Sequence, residues 1–317
     1  MTYPIIDTHQ DLLLHITRRD LYPQGQWQTN FEMIKRAGLK LVVATAFPVP
    51  SEENYFNPIS NDLIEKEFDA YSLQGTQPGW MLVTQASDIA RVLALEGPIG
   101  ILMHIEGLNV VDENSFERLE QWYQKGWRSL GIVWNLTNPL GGGTKDPTQG
   151  LRPLGRQVIE WAKEKQMVID FAHMNEPTFW DVVKIMDRPI YISHGNCRAL
   201  CENPRNYSDA QLRALADSGG VIGLFFAKTF VTGKEKPGTI SHVVAHVEHL
   251  LKTIGDEHIA LGTDFGGIIS GFVDGLESLE KLPDFFQALR QAGITEMTME
   301  KLCYQNAARV LTAHLSL

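Results

Sequence analysis

Only three cysteines, Cys197, Cys201 and Cys303, occur among 317 residues. A set so sparse and odd in number excludes a disulfide framework and fits a reducing compartment. Positive charge is also short, with 28 Lys and Arg against 38 Asp and Glu, a net charge of −10. That balance argues against nucleic acid as a partner, because neutralising phosphates needs a basic face. No apolar run reaches the ~18 residues of a membrane-spanning helix, so no membrane partner is expected. The start, Met1-Thr2-Tyr3-Pro4-Ile5-Ile6-Asp7, lacks basic residues and an apolar signal core, so a cytoplasmic location is expected. Missing too is a Gly-x-Gly-x-x-Gly after the first apolar run, which removes the usual dinucleotide-binding reading. What remains is a chain with 44% hydrophobic residues, enough for a sizeable core, and ten histidines to explain.

Short apolar runs alternate with amphipathic stretches along the whole chain. The runs are 5–6, 39–47, 99–105, 129–134, 167–171, 189–193, 220–226 and 259–263. Helix starts fall between them. Ser208-Asp209-Ala210-Gln211 is a capping box, Pro153 suits a first helical turn, and Asn175-Glu176-Pro177 opens another helix. Eight strand–helix units predict a (β/α)8 barrel, with a doubly wound open sheet as the alternative. One domain over 1–317 is expected, ending in two helices over 277–317. Irregular stretches at 48–58 and 140–150 follow strands, where barrel loops form lids and pockets.

The polar residues gather at the predicted strand ends. The first strand ends in Asp7-Thr8-His9-Gln10-Asp11, the third in His104-Ile105-Glu106-Gly107 and the fifth in Asp170-Phe171-Ala172-His173. The sixth ends in Ser193-His194 and the eighth in Thr263-Asp264. In a barrel these ends share the rim where active sites are built. His9 and Asp11, two apart on an extended segment, point the same way. A strand-end His or Asp taken singly is more often a hydrogen-bonded core group. Five ends carrying the same residue types call for cations, and two divalent metals, zinc by ligand type, meet that need.

The order of these segments resembles the membrane (renal) dipeptidases, zinc peptidase family M19, within the amidohydrolase-like metallo-dependent hydrolases. The resemblance runs through Asp7-Thr8-His9-Gln10-Asp11-Leu12, His104-Ile105-Glu106-Gly107 and Ile169-Asp170-Phe171-Ala172-His173. It continues through Ile192-Ser193-His194-Gly195-Asn196-Cys197-Arg198, Asn203-Pro204-Arg205-Asn206, Gly262-Thr263-Asp264-Phe265 and Asn306-Ala307-Ala308-Arg309. It implies that His9 and Asp11 hold one Zn2+, His173 and His194 a second, and that Glu106 bridges them. A hydroxide shared by the two metals would then attack a dipeptide, with Asp264 carrying the proton to the leaving amine. Arg198 would grip the substrate's terminal carboxylate, its other reading being a surface ion pair. Acceptance of a D-residue at the C-terminal position is likewise a family trait.

One departure stands out. Trp134 falls where the renal-type members carry a histidine that holds the reacting carbonyl oxygen, and indole offers one neutral donor only. Asn135 beside it could supply a donor instead, and Trp27 and Trp134 could line the pocket. Rival readings are another metal-dependent amide or lactone hydrolase on the same barrel and a degenerate binding protein. Relatives of the first kind commonly open with His-x-His, whereas this chain has His-x-Asp. Retention of all five ligands and of Asp264 speaks against the second.

Other motifs read as structure. His242, His246 and His249 form a helical stripe opposite Val243, Val247 and Leu250, expected to face solvent or a homodimer contact. Gly141-Gly142-Gly143-Thr144-Lys145 lacks the phosphate-loop spacing and suggests a mobile lid. Cys197 and Cys201 are expected to be small buried residues, and His104 a core or ligand-supporting group. Asp7, Asp11, Glu106 and Asp264 are expected to gather near the metals.

Overall fold

Apolar runs that are buried on both faces form parallel strands, because helices then cover each face of the sheet. The computed structural model describes residues 3–14, 28–47, 59–109, 111–268 and 271–316; Trp27 and the stretch 48–58 lie outside them. Its strands are β1 (Ile5–Gln10), β2 (Leu39–Ala46), β3 (Trp80–Leu82), β4 (Ile99–Glu106), β5 (Trp127–Gly131), β6 (Val168–Asp170), β7 (Tyr191–Gly195), β8 (Val221–Leu224) and β9 (Ile259–Leu261). All eight expected runs become strands. They are ordered β2-β1-β9-β8-β7-β6-β5-β4, and a β2–β4 pairing closes them into a (β/α)8 barrel. The short β3 is an addition to the eight, pairing in parallel with β4 from Trp80 opposite Ile99 to Leu82 opposite Ile101.

By contacts the chain divides into residues 1–42 with 192–310, and 43–191 with 311–317, the cuts falling inside β2 and β7. In the first unit every residue of β1 is buried. The Thr8 hydroxyl donates to the Leu261 carbonyl at 2.7 Å and lies 2.6 Å from that of Ser193. Gly223 and Gly262 crowd the same Ser193 carbonyl, and a Cβ on either would collide with it. These two glycines are therefore required by close approach. The predicted capping box forms, Ser208 Oγ accepting from Gln211 N as helix Asp209–Asp217 begins. Asn306 donates to the carbonyls of Asp256 and Ile259 at 2.7 and 2.9 Å, and Arg309 to those of Gly219 and Glu257. The Asn-Ala-Ala-Arg segment is thus a brace for the residues leading into β9.

The second unit is built around aromatics. Trp122 and Trp127 are fully buried with ring centroids 5.9 Å apart, edge to face, and Phe68 packs on Trp122 at 6.3 Å. Truncating a tryptophan so placed costs about 3–5 kcal/mol. Pro153 and Pro177 sit in first helical turns, and Asn175 caps helix Glu176–Val183 by accepting from Thr178 N at 2.8 Å. The C-terminal region departs from the two plain helices expected. Helix Leu282–Gln291 is followed by a second run, Glu296–Glu300 and Asn306–His314, joined through a π turn over Lys301–Gln305.

Candidate metal centre and active site

In the first unit, β1 delivers His9, the residue just past its end is Asp11, and the segment after β9 delivers Asp264. The two ends are tied by Asp264 N donating to His9 O and Asp11 N to Phe265 O, each at 3.0 Å. His9 Nε2 lies 3.5 Å from Asp11 Oδ2 and 3.7 Å from Asp264 Oδ1, all three side chains being buried. One ligand atom from each falls within 4.8 Å of the others. Asp264 holds a left-handed backbone, φ 57°, rare for a residue with a side chain and a feature of functional positions. Gly267 faces both carboxylates, and a Cβ there would strike Asp11 Oδ2 and Asp264 Oδ1. Two buried carboxylates around one imidazole suit a divalent cation bound through oxygen and nitrogen.

His194, at the end of β7, sets its ring 4.2 Å from that of His9, tilted by 42°, and shares a 2.8 Å hydrogen bond between Nδ1 and Ser193 Oγ. That bond engages Nδ1 and leaves Nε2 as the ring nitrogen that could hold a metal. Aromatic contacts then run from His194 to Phe225 (5.1 Å) and from Phe225 to Phe230 (5.0 Å, stacked), with the Arg205 guanidinium 5.9 Å from the Phe230 ring. Arg205 is 6% exposed, yet among the described residues neither Nη has a hydrogen-bond partner. A buried cation with idle donors is costly unless an anion arrives to meet it. Arg198, the arginine singled out from the sequence, is half-buried and donates from Nε to the Asn206 carbonyl at 3.0 Å. Sequence reasoning noted the segment that holds Arg205 but not its burial.

The second unit carries Glu106, His173, Trp134 and Asn135. Glu106 ends β4, and its Oε1 lies 2.7 Å from His173 Nε2. His173, like Asp264, has a left-handed backbone, φ 64°. Gly107 follows Glu106 at φ 86°, and Trp134 packs against its α-carbon face. The Trp134 ring lies 6.1 Å from that of His173 and meets Phe47 edge-on at 5.2 Å. His104 is fully buried, its Nδ1 sharing a 2.8 Å bond with Ser129 Oγ and its Nε2 3.6 Å from Asp170 Oδ2.

Three expectations are corrected. Asp7 is not among the metal-facing groups. Its carboxylate accepts from Thr263 Oγ1 at 2.6 Å, Thr263 N at 3.0 Å and Gln10 Nε2 at 2.5 Å, bracing β1, while burial pushes its pKa up. The histidine stripe does not face solvent as a unit, because His246 is fully buried. It accepts from Cys197 N at 3.2 Å, contacts Val231 O at 3.0 Å through Nε2, and burial holds its pKa down to about 4. His249 meets Asp209 at 2.8 Å, and His242 completes the cap at Thr239. The stretch 140–150 is pinned rather than loose, with Asp146 accepting from Thr137, Thr148 and Gln149. Cys197, Cys201 and Cys303 are buried free thiols, and burial raises the pKa of each.

A closed (β/α)8 barrel with imidazoles and carboxylates at its strand ends defines a metallo-dependent hydrolase. The chain belongs to the membrane dipeptidase family, peptidase family M19, whose family model matches residues 1–315. By that membership it is a hydrolase of the dipeptidase class. It is 35% identical over 240 residues to an uncharacterized protein in the pqqA 5′ region of Klebsiella pneumoniae, covering 73% of this chain and 87% of that one. It is 29% identical over 253 residues to the dipeptidase tcpJ of Claviceps purpurea (strain 20.1), covering 79% of this chain but only 58% of that one. Among solved structures, the dipeptidase AC, a family M19 metallo peptidase, matches with TM-score 0.88 at 25% identity over 100% of both chains. A metallo peptidase from Rhodobacter sphaeroides, liganded with a phosphinate mimic of L-Ala-D-Ala, shares the fold. Its TM-score is 0.87 at 24% identity over 99% of this chain and 100% of that one. Among the described residues no helix is long and apolar enough to cross a membrane.

Proposed function

We propose that the chain is a dinuclear zinc dipeptidase, a single catalytic domain over 1–317 acting on small dipeptides. His9 and Asp11 would hold one zinc and His173 and His194 the other, with Glu106 as a ligand shared by both. The observation that carries this reading is the buried His9–Asp11–Asp264 cluster, two carboxylates around one imidazole. The pairing of Glu106 with His173 Nε2 at 2.7 Å supports it, as does the name dipeptidase on related chains. Zinc, when bound, lowers the pKa of water toward about 7 and polarises a scissile carbonyl, the chemistry of hydroxide attack.

The rest falls to the protein's own side chains. Asp264, 3.7 Å from His9, takes the proton of the attacking water and returns it to the leaving amine. Arg205 binds the substrate's terminal carboxylate through its two idle Nη groups, and Arg198 holds the loop around it. Trp134 and Phe47 form an apolar wall for a substrate side chain, in place of the family's histidine. The buried free thiols support a reducing, cytoplasmic setting.

A panel of dipeptides offered to the zinc-loaded protein, with and without chelator, tests the reading. Hydrolysis that stops with chelator and returns with zinc is expected. Hydrolysis indifferent to chelator, or none across the panel, contradicts it.

A further inference from the structure

The glycine-rich stretch 141–145 has the chemistry of neither a phosphate loop nor a free lid, and its contacts lead to a metal-ligand candidate. Asn135 Oδ1 lies 2.9 Å from His173 Nδ1, and Thr144 Oγ1 donates to the same oxygen at 3.1 Å. Lys145 N donates to the Asn135 carbonyl at 2.8 Å. An amide oxygen only accepts, so the proton shared with Asn135 belongs to Nδ1, and Nε2, 2.7 Å from Glu106 Oε1, is the nitrogen that would offer a lone pair to a metal.

The glycines make this contact attainable. A Cβ on Gly143 would collide with the Trp134 carbonyl and with the Asn135 backbone, and one on Gly142 with the Gln149 carbonyl and the Asn175 side chain. The stretch is clamped from the far side as well. Asn175 N donates to Gly142 O at 3.2 Å, Gly142 N to Thr178 Oγ1 at 3.0 Å, and Asn175 Nδ2 to Gln149 O at 2.7 Å. Residues 173–178 and 141–149 are thereby locked together around His173, whose left-handed backbone needs such support.

We infer that Asn135, seated by Gly143 and Thr144, is a positioning residue that fixes the tautomer and orientation of His173 for zinc, rather than a donor to the substrate's reacting oxygen. The inference rests on the proposed role of His173 as a zinc ligand. Partners of this kind, holding the second nitrogen of a ligating imidazole, typically change metal affinity about 10–100-fold when removed.

Zinc affinity, measured by competition with a chromogenic chelator on the whole protein, is the deciding readout. Asn135→Ala should weaken zinc at the site that His173 would hold about 10–100-fold, leaving the other site unchanged. Thr144→Val, a milder change that keeps the amide, should weaken the same site less. Asn135→Asp preserves the accepting oxygen and should hold zinc near wild-type affinity. Circular dichroism on each variant shows that the fold is intact. Wild-type affinity in Asn135→Ala, with two zincs still bound, overturns the inference while leaving the dipeptidase reading in place. An Asn135→Asp variant as weak as Asn135→Ala also overturns it. A wild-type protein that holds fewer than two zincs overturns both.

Discussion

Asp264 Oδ1 stands 3.7 Å from His9 Nε2, held there by Asp264 N donating to the His9 carbonyl and by a left-handed backbone at φ 57°. On the proposed mechanism this buried carboxylate, on a strained residue beside an imidazole, serves proton transfer rather than fold stability. Changing Asp264→Asn keeps size and hydrogen bonding but removes the proton acceptor. Turnover should fall about 100- to 10,000-fold with bound zinc unchanged. Steady-state kinetics beside metal analysis check this, and near-normal turnover would remove Asp264 from the chemistry.

Gly267 tests the space rather than the ligands. A methyl group there collides with Asp11 Oδ2 and Asp264 Oδ1, so Gly267→Ala should displace both carboxylates. Lower zinc affinity and lower turnover together are expected. A variant that keeps full zinc content and rate would show that the positions of these carboxylates do not govern the site.

The two arginines separate by substrate. Arg205→Ala should raise KM at least about tenfold for dipeptides with a free carboxylate and much less for their amides, the loss expected of a charge-assisted pair. Arg198→Ala should affect both substrate types alike, because its Nε holds the Asn206 carbonyl. A selective KM effect in Arg198→Ala instead would transfer the carboxylate role to that residue.

Acid stability follows from two buried histidines that the proposed chemistry does not use. Burial holds His246 and His314 down to about 4, against an ordinary 6.5. Between those values the unfolded chain takes up protons that the folded chain refuses. Stability is therefore full above pH 6.5, falls as pH drops toward 4, and levels off below, each histidine contributing up to about 3 kcal/mol. Urea unfolding at pH 7 and at about pH 4.5 should show a smaller loss for His246→Gln than for wild type. Equal losses would mean that His246 does not govern the acid limb.

The barrel could be read from the sequence because strands buried on both faces appear as continuous apolar runs, and all eight did. The missed β3 is three half-buried residues, too short for any period to register. The strand-end residues were visible for the same reason, since each closes an apolar run. Other roles depend on tertiary partners that spacing cannot carry. Asp7 looks like Asp11 in sequence, and only the Thr263 contacts make it a brace. His246 looks like His249, yet two backbone partners allow it to be buried neutral. Arg205 and Asn135 draw their significance from burial and from contacts made 38 residues away in the case of Asn135 and His173.

Zinc stoichiometry reaches the central claim most directly. Elemental analysis of zinc-loaded, exhaustively desalted protein should give two zincs per chain, and His173→Ala and Asp11→Asn should each reduce that figure. Removing the metal should also lower the unfolding temperature, since ligands that bind only the folded state stabilise it. One zinc or none in the wild-type protein would contradict a dinuclear centre built from His9, Asp11, Glu106, His173 and His194.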